Sequence, residues 1–177
     1  MQDVAAGYSQ VYKINSLHEF KDSLSNLLID SVNCGASIGF IAPLTHKNAD
    51  QYWYSIENDL LNNNRELFII TVGTEVIGAV QLSLCSKANG AHRGEIEKLM
   101  VHSQHQGQGF AKQLMNTLEQ SALQQQLTLL VLDTRLGDVA SRLYHKLNYI
   151  EAGQIPQFAL SSSGELNATV YFYKPLL

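Results

Sequence analysis

The residues best suited to chemistry lie in one continuous run, Lys98-Leu-Met-Val-His-Ser-Gln-His-Gln-Gly-Gln-Gly-Phe-Ala111. An apolar strand pattern ends in this run at Val101, and a helical pattern begins after Gly109. Backbone N–H groups in the first turn of a helix have no intrahelical partner, and the helix dipole places partial positive charge there. Glycines at 107 and 109 let a diphosphate approach these amides closely. The sequence therefore predicts an anion-binding cradle at this junction.

Two nucleotide-binding motifs fit this run poorly. A P-loop requires Gly-Lys-Ser/Thr after its glycines, and Phe110-Ala111 stands there instead. A dinucleotide-binding turn follows the first strand of a parallel βαβ unit and carries a third glycine, whereas this loop follows an apparent β-meander. Taken alone, the two glycines are as consistent with close helix packing as with a ligand.

Two motifs follow one another along the chain. The first is Gln104-x-x-Gly107-x-Gly109, between a predicted strand and a long predicted helix, and the second is Ala140-x-x-Leu143-Tyr144-x-Lys146-x-Asn148-Tyr149. They resemble the Q/R-x-x-G-x-G/A signature and the A-x-x-L-Y-x-K-x-G-F segment of the GNAT superfamily of acetyl-CoA-dependent N-acetyltransferases. Because both motifs occur in the right order, a chance match is improbable.

Further segments are closely similar to the tabtoxin-resistance acetyltransferases, and this resemblance covers roughly residues 16–174. The segments are Gly35–Phe40, Gln81–Cys85, Asn89-Gly90, Lys98–Val101 and Leu132–Thr134. The sequence departs from the resembled pattern at Gly137, where many members have Asn, and at Asn148, where they have Gly. The second departure matters less, because Asn also tolerates the left-handed conformation that follows a helix.

The resemblance implies that acetyl-CoA is the co-substrate and that the strand ending at Val101 separates from its neighbour to pair with pantetheine. It assigns Leu99, Met100 and Val101 to the coenzyme, with the Leu99 amide as the donor to the oxyanion. The diphosphate is then held by the amides of the loop and the first helical turn, which are Gln106, Gly107, Gln108, Gly109, Phe110 and Ala111.

Acetyl transfer to an amine also needs a base, and Glu95 matches the glutamate that several members of the superfamily use. On a regular strand Glu95 shares a face with Glu97, Leu99 and Val101. Asp133, at the end of the neighbouring apolar strand, could orient the amine or act with Glu95 through water. A partly desolvated carboxylate has a raised pKa and is a better base near neutrality.

The tyrosine of the second motif reaches the coenzyme sulfur in the resembled enzymes, so Tyr144 is predicted to protonate the departing thiolate. Its alternative role is aromatic packing in the core with a satisfied hydroxyl. Glu95 and Glu97 could likewise form a solvated strand face, and Asp133 could cap a turn.

Hydrophobic periodicity predicts the elements that position these residues. Strands are expected at Val11–Ile14, Glu66–Val72, Glu75–Leu84, Glu95–Val101, Leu127–Leu132, Tyr149–Ala152 and Thr169–Tyr173. Helices are expected from Ser16, as N-cap, to near Gly35, over Asn48–Leu61, after Gly109 and after Asp138. Gly73-Thr74 suits a type II′ turn, and the apolar run at 127–132 is typical of a strand covered on both faces.

This order is a β-meander followed by β-α-β-α-β-β. It agrees with the fold that the resemblance implies, which is α/β (α+β). The expected architecture is one domain over residues 1–177, with a mixed, mostly antiparallel central sheet flanked by helices. Its strands are expected to splay at the acetyl-CoA site.

Composition excludes several classes of protein. The 177 residues carry a net charge of -4, which argues against a general nucleic-acid binder. No apolar stretch approaches the about 18 to 20 residues of a membrane span, and Met1–Tyr8 lacks a leader pattern. The isolated Cys34 and Cys85 fit a reducing compartment, so we expect a cytoplasmic protein. His102 and His105 lack suitable partners, so we expect no metal.

The resemblance suggests an acceptor that is a primary amine of a small polar or amino-acid-like molecule, such as a toxin or antibiotic. One alternative is acetylation of a protein N-terminus or lysine, and another is a non-catalytic acetyl-CoA-binding module. We expect residues 37–44, 89–93 and 154–160 to line the acceptor pocket. Tyr171 or Tyr173, exposed on a terminal strand, could serve a homodimer.

Overall fold

The computed structural model describes residues 10–176, and the expectation that rests on Met1–Tyr8 lies outside them. Its strands are β1 (Val11–Ile14), β2 (Arg65–Val72), β3 (Glu75–Leu84), β4 (Arg93–Val101), β5 (Leu129–Arg135), β6 (Ile150–Leu160) and β7 (Leu166–Pro175). Its α-helices are α1 (Lys21–Asn33), α2 (His46–Leu61), α3 (Phe110–Gln124) and α4 (Ala140–Lys146). None of the helices in residues 10–176 combines the length and apolar character needed to cross a bilayer.

The seven strands form one mixed sheet in the order β1-β2-β3-β4-β5-β7-β6. Every neighbouring pair is antiparallel except β4 and β5, which run parallel. One apolar core lies between the sheet and helices α1 and α2. A second core lies on the opposite face, under α3 and α4. The predicted fold class, a mostly antiparallel sheet flanked by helices, is confirmed.

Strands β4 and β5 pair only at their beginnings. Their parallel register joins Arg93–Glu95 to Leu129–Val131, and no further rung is formed between them. From Ile96 to Val101, the edge of β4 that faces β5 therefore forms no ladder hydrogen bonds with it. The predicted splay of the sheet is confirmed.

A β-bulge at Lys98 interrupts β4. Its register with β3 pairs Gln81 with Glu97 but Ala79 with Met100, so one β3 residue faces two residues of β4. Lys98 has a φ of 52°, in the left-handed region that side chains other than glycine rarely adopt. Because side chains alternate along a strand, the extra residue moves every later side chain of β4 to the other face.

The bulge overturns the prediction that Glu95, Glu97, Leu99 and Val101 share a face. Glu97 bonds to Arg65 on the side of the sheet that α2 covers, and Met100 is buried in the core of α1 and α2. Leu99 and Val101 instead pack against the core beneath α3 and α4. The two-residue alternation predicted for a regular strand fails at Lys98.

Strand β5 is fully covered on one face only. Leu130, Leu132 and Thr134 are buried on that face. Asp133 lies on the other face and is exposed. The expectation of cover on both faces is wrong, because the face that carries Asp133 opens where β4 and β5 separate.

Helix α1 begins at Lys21, later than predicted. Ser16 Oγ accepts a hydrogen bond from the His18 amide at 3.3 Å, within the turn that precedes the helix, so Ser16 does not cap α1. Helix α2 has the cap that its sequence allows, since Thr45 Oγ1 accepts from the Asn48 amide at 3.2 Å.

Two turn predictions rest on positive φ angles. Gly73 has a φ of 60°, as the first central position of a type II′ turn requires. Asn148 has a φ of 64°, which confirms that Asn takes the left-handed conformation after α4.

Strand β6, and not β7, is the edge of the sheet. Strand β7, the last strand of the chain, pairs with both β5 and β6. Tyr171 and Tyr173 are therefore half-buried inside the sheet, and the expectation that they are exposed is wrong. All 11 residues of β6 are exposed.

Candidate active site

The junction between β4 and α3 has the geometry of an anion cradle. Gly107 has a φ of 74°, and Gly109, the N-cap of α3, has a φ of 86°. No heavy atom lies within 4 Å of the position that a Cβ would occupy at either glycine. The first amides of the 15-residue helix α3 are therefore accessible to an anionic ligand.

A cavity of about 450 Å³ opens in front of this cradle. Most of the residues predicted to hold the coenzyme line it, namely Leu99, Val101, Gln106, Gly107, Gly109, Phe110 and Ala111. Gln108 is exposed but lies outside the lining of this cavity, and the Met100 side chain is buried in the core of α1 and α2. Seven of the nine residues predicted to bind the coenzyme thus line this cavity.

Three basic side chains that the sequence analysis did not assign to the coenzyme also line this cavity, namely Lys112, Arg142 and Lys146 of the second motif. Arg142 and Lys146 are separated by one turn of α4, so they lie on the same side of that helix. Two basic residues spaced i, i+4 within the second motif are the sequence pattern that could have identified Arg142 and Lys146. They add positive charge beside the uncharged amides of the cradle.

The free edge of β4 turns specific backbone groups toward the gap beside β5. The His102 amide donates to the Ile77 carbonyl at 2.8 Å, so it points at β3. Since N–H directions alternate along a strand, the amides of Leu99 and Val101 point away from β3 and into the gap. Gln106 Nε2 donates to the Val101 carbonyl at 3.2 Å and fastens the loop to this edge.

A second cavity, of about 510 Å³, lies between the splayed strands, the segment after α1 and the start of α4. We call it the central cavity. It adjoins the cavity in front of the cradle, which we call the coenzyme-side cavity after the residues predicted to hold the coenzyme, because Leu99, Val101 and Gln106 line both. The three predicted catalytic residues, Glu95, Asp133 and Tyr144, all lie on its wall.

The predicted acceptor lining is present only in part. Ser37, Ile38 and Gly39 line the central cavity, as does Ala159 of β6. Residues 89–93 do not, because they lie at the end of β4 where Arg93 pairs with Leu129, away from the gap that opens after Glu95.

The carboxylates of the central cavity have different partners. Glu97 Oε2 lies 3.0 Å from Arg65 Nη1, and Asp133 Oδ2 accepts from the Thr169 hydroxyl at 2.8 Å. Burial raises the pKa of Glu95 above its ordinary value, and the negative charges of Glu97 and Asp133 raise it further. A carboxyl with a raised pKa binds a proton more readily, which suits a general base.

Tyr144 packs in the core and also lies on the wall of the central cavity. It is 6% exposed, and its ring packs 5.7 Å from that of Phe172 and 5.9 Å from that of Tyr149, measured between centroids. Its hydroxyl forms no hydrogen bond with any residue between 10 and 176, and the side chain lines the central cavity. Burial and the charges of Asp138 and Asp133 raise the pKa of Tyr144, so it stays protonated.

Lys98 is a residue of the central cavity that sequence reasoning gave no role there. Its Nζ lies 5.8 Å from the ring centroid of Phe40 and 5.5 Å from that of Tyr52. Burial lowers the pKa of the Lys98 ammonium, while the charge of Glu97 opposes this shift, as do the charges of Asp133 and Glu95. No sequence signal indicated this environment, because it depends on the bulge.

The loop before α3 is tied to α1 through one carboxylate. Asp30 accepts hydrogen bonds from the Ser103 amide at 2.8 Å and the Ser103 hydroxyl at 2.7 Å, and His102 Nε2 lies 3.9 Å from it. His102 Nδ1 accepts from the Gln104 amide at 3.2 Å. In the part of the chain that the structure describes, no three His, Cys, Asp or Glu side chains are grouped to hold a metal.

Residues 37–149 match the family model described as "Acetyltransferase (GNAT) family". Among curated proteins, N-acetyltransferase 8F1 of Rattus norvegicus is 34% identical over 101 residues. That alignment covers 56% of this chain and 46% of the rat protein, so the chain matches less than half of this relative's length.

Solved structures share the fold at low sequence identity. An N-acetyltransferase from Staphylococcus aureus Mu50 has a TM-score of 0.78 and 16% identity, covering 96% of this chain and 100% of that one. A ribosomal-protein-alanine N-acetyltransferase from Brucella melitensis has a TM-score of 0.76 and 17% identity, covering 93% and 99%. The yncA protein of Salmonella typhimurium, solved with its cofactor acetyl-CoA, has a TM-score of 0.78 and 17% identity, covering 96% and 94%.

Proposed function

Since the chain belongs to the acetyltransferase (GNAT) family, we propose that it transfers the acetyl group of acetyl-CoA directly to a primary amine of a small polar or amino-acid-like molecule. The observation that carries this proposal is the adjacency of the cradle and the central cavity, whose wall holds Glu95, Asp133 and Tyr144. The resemblance of the sequence to the tabtoxin-resistance acetyltransferases supports an acceptor of this class, and with it a role in detoxifying a toxin or antibiotic.

The residues present suit acetyl-CoA, which supplies an activated acetyl thioester when bound. The open edge of β4 offers the backbone groups of Leu99 and Val101 to an extended pantetheine chain. The open amides at Gly107 and Gly109 suit a diphosphate. The basic side chains on the coenzyme-side cavity, Lys112, Arg142 and Lys146, suit the remaining phosphate charge.

The side chains of the central cavity then divide the proton transfers between them. Glu95 accepts the proton of the attacking amine, directly or through water, and Asp133 orients that amine. The Leu99 amide stabilises the negative charge that develops on the acetyl oxygen. Tyr144 donates its proton to the departing sulfur. Because the pKa of Tyr144 is raised, its hydroxyl is protonated before this step.

Two measurements test this proposal in sequence. The first is the thermal unfolding midpoint at increasing acetyl-CoA concentration, which must rise because a ligand that binds only the native state stabilises it. The second is thiol release with a panel of small amines and peptides, with the acetylated product identified by mass spectrometry.

Each outcome of these measurements has a distinct meaning. Absence of a thermal shift at saturating acetyl-CoA would contradict the proposal. A shift with no thiol release from any amine indicates a non-catalytic binding module, and release with peptides alone indicates a protein acetyltransferase. Release with small amines supports the function proposed here.

A further inference from the structure

Lys98 is a basic side chain of the central cavity that the proposed mechanism does not use. The other basic side chain on that wall is Arg135, whose Nη2 lies 3.7 Å from the Asp138 carboxylate. Lys98 forms no salt bridge with any other residue of the described range 10–176. The nearby Glu97 carboxylate binds Arg65 at 3.0 Å and forms no salt bridge with Lys98.

The surroundings of Lys98 hold its ammonium without neutralising it. Two aromatic faces, Phe40 and Tyr52, lie within 5.8 Å of Nζ, and such contacts attract a cation through the ring quadrupole. They place no carboxylate oxygen in ion-pair contact with Nζ, although the charges of Glu97, Asp133 and Glu95 stabilise the ammonium at longer range. A buried charge that lacks such a partner is costly, so an anionic group entering the cavity gains a strong interaction with it.

The backbone at Lys98 is also unusual for its residue type. Its φ of 52° is an uncommon conformation for a residue with a long side chain, and it is imposed by the bulge that turns Lys98 toward the cavity.

A second polar group on the same wall lacks a partner. Ser31 is 5% exposed, and its hydroxyl forms no hydrogen bond within residues 10–176.

We propose that Lys98 binds the carboxylate of the acceptor, so that the protein selects primary amines that also carry a free carboxylate. This inference rests on the proposed acetyl transfer and narrows its acceptor to amino carboxylates. The charges on the cavity wall complement such a zwitterion. Glu95 and Asp133 attract the amino group, and the Lys98 ammonium attracts the acid group.

The test uses pairs of amines that differ only by a carboxylate. Suitable pairs are L-lysine with cadaverine, L-ornithine with putrescine, β-alanine with ethylamine and glycine with methylamine. The value of kcat/KM is measured by thiol release for the wild-type protein and for Lys98→Met, Lys98→Arg and Lys47→Met. Lys47 is an exposed lysine of α2, so its variant controls for the loss of a positive charge away from the cavity.

We expect the wild-type protein to prefer the carboxylated member of its best pair. Lys98→Met should lower kcat/KM for that member by about 10- to 100-fold, mainly through KM, because a hydrogen bond to a charged group is lost. The decarboxylated partner should react at an unchanged rate. Lys98→Arg should restore part of the preference, and Lys47→Met should match the wild type.

Several results would overturn the inference. One is an unchanged carboxylate preference in Lys98→Met. Another is acetylation of small amines that lack a carboxylate with no reaction of any carboxylated amine, in which case the proposed acetyl transfer stands. Reaction of peptides alone contradicts both the inference and the proposed class of acceptor. Binding of acetyl-CoA without reaction of any amine also contradicts the inference. If acetyl-CoA fails to raise the unfolding midpoint, the proposed function itself is wrong.

Folding of the key variant is checked independently. Lys98→Met removes a partly buried ammonium and keeps an unbranched side chain against Phe40 and Tyr52, so its unfolding midpoint should equal or exceed that of the wild type. Its acetyl-CoA-induced thermal shift should equal that of the wild type, which separates an acceptor effect from a coenzyme effect.

Discussion

Arg65 Nη1 lies 3.0 Å from Glu97 Oε2 and 2.7 Å from Gln81 Oε1, so the Glu97 carboxylate is held by a guanidinium that is itself only 12% exposed. Glu95, two residues earlier on the same face of β4, has no salt bridge among residues 10–176. The two glutamates therefore differ in what they can do. Glu97 is bound into the packing of the sheet, and Glu95 is available to accept a proton.

Replacing Glu95 by Gln should lower kcat by about 100- to 10,000-fold, because the general base is lost while the side-chain shape is kept. Steady-state thiol release with the best small amine measures the effect. The matched control is Glu97→Gln, which should change kcat by less than about tenfold but destabilise the fold by about 1–3 kcal/mol, since Arg65 loses the closer of its two charged partners. A larger catalytic loss in Glu97→Gln than in Glu95→Gln would contradict this assignment of roles.

The activity should depend on pH through Glu95. Burial, Glu97 and Asp133 raise its pKa above the ordinary value of 4.5. Because the base must be ionised, kcat/KM should fall as the pH is lowered through this raised pKa. Glu95→Gln should lack that acidic limb in a full pH profile, and a profile identical to the wild type would exclude Glu95 as the titrating group.

The raised pKa of Glu95 affects the stability of the fold in the direction opposite to its effect on activity: stability falls as the pH rises. A carboxyl whose pKa is raised in the folded state binds protons more tightly there, so its stabilising contribution is present at low pH and is lost as the pH rises through the raised pKa. Glu95→Gln should therefore be more stable than the wild type at about pH 8 but not at about pH 4. Urea denaturation at the two pH values measures the difference, and a variant that is less stable at both would show that burial is not the dominant cause.

Replacing Tyr144 by Phe should lower kcat by about 100-fold or more, because the ring still packs on Phe172 while the proton donor is gone. The control is Tyr149→Phe, which removes the hydroxyl of a tyrosine that is 3% exposed and lies outside the lining of both cavities. Tyr149→Phe should keep the wild-type kcat. Equal rates for Tyr144→Phe and wild type would remove Tyr144 from the mechanism.

Replacing Gly109 by Ala should weaken acetyl-CoA binding by about tenfold or more, which corresponds to about 1.4 kcal/mol. Alanine is disfavoured at a φ of 86°, and its methyl group would occupy the open space beside the first amides of α3. Gly73→Ala is a matched control, because it imposes similar strain of about 1–2 kcal/mol at a φ of 60° in the distant β2–β3 turn. Titration calorimetry should give wild-type affinity for Gly73→Ala, and a normal affinity for Gly109→Ala would indicate that the coenzyme binds elsewhere.

The cradle could be predicted from the sequence because it depends on local chemistry. Gly107 and Gly109 take positive φ angles, and a helix begins at once after them, so neighbouring residues alone define the geometry. The same holds for Asn148 after α4. Tyr144 was found through a motif, and its dual role as core and cavity residue follows from its place on an amphipathic helix.

The acceptor side could not be predicted in the same way, because it depends on how strands pair. Nothing in the sequence of β4 indicates that Lys98 forms a bulge, yet the bulge determines which face of the sheet Leu99 and Val101 occupy. The exposure of Asp133 likewise depends on the point where β4 and β5 stop pairing. Local patterns cannot indicate where a register changes.

The bulge in β4 has a consequence for engineering new specificity. Residues before it, Glu95 and Glu97, lie on the α2 side of the sheet, where we propose that the acceptor binds. Leu99 and Val101 after it pack on the α3 side and line both the central cavity and the cavity proposed for the coenzyme. A library that randomises positions 37, 38 and 98 should therefore alter the choice of amine without disturbing affinity for the acetyl donor. The bulge at Lys98 thus divides β4 into a part that lines only the central cavity and a part that also lines the coenzyme-side cavity.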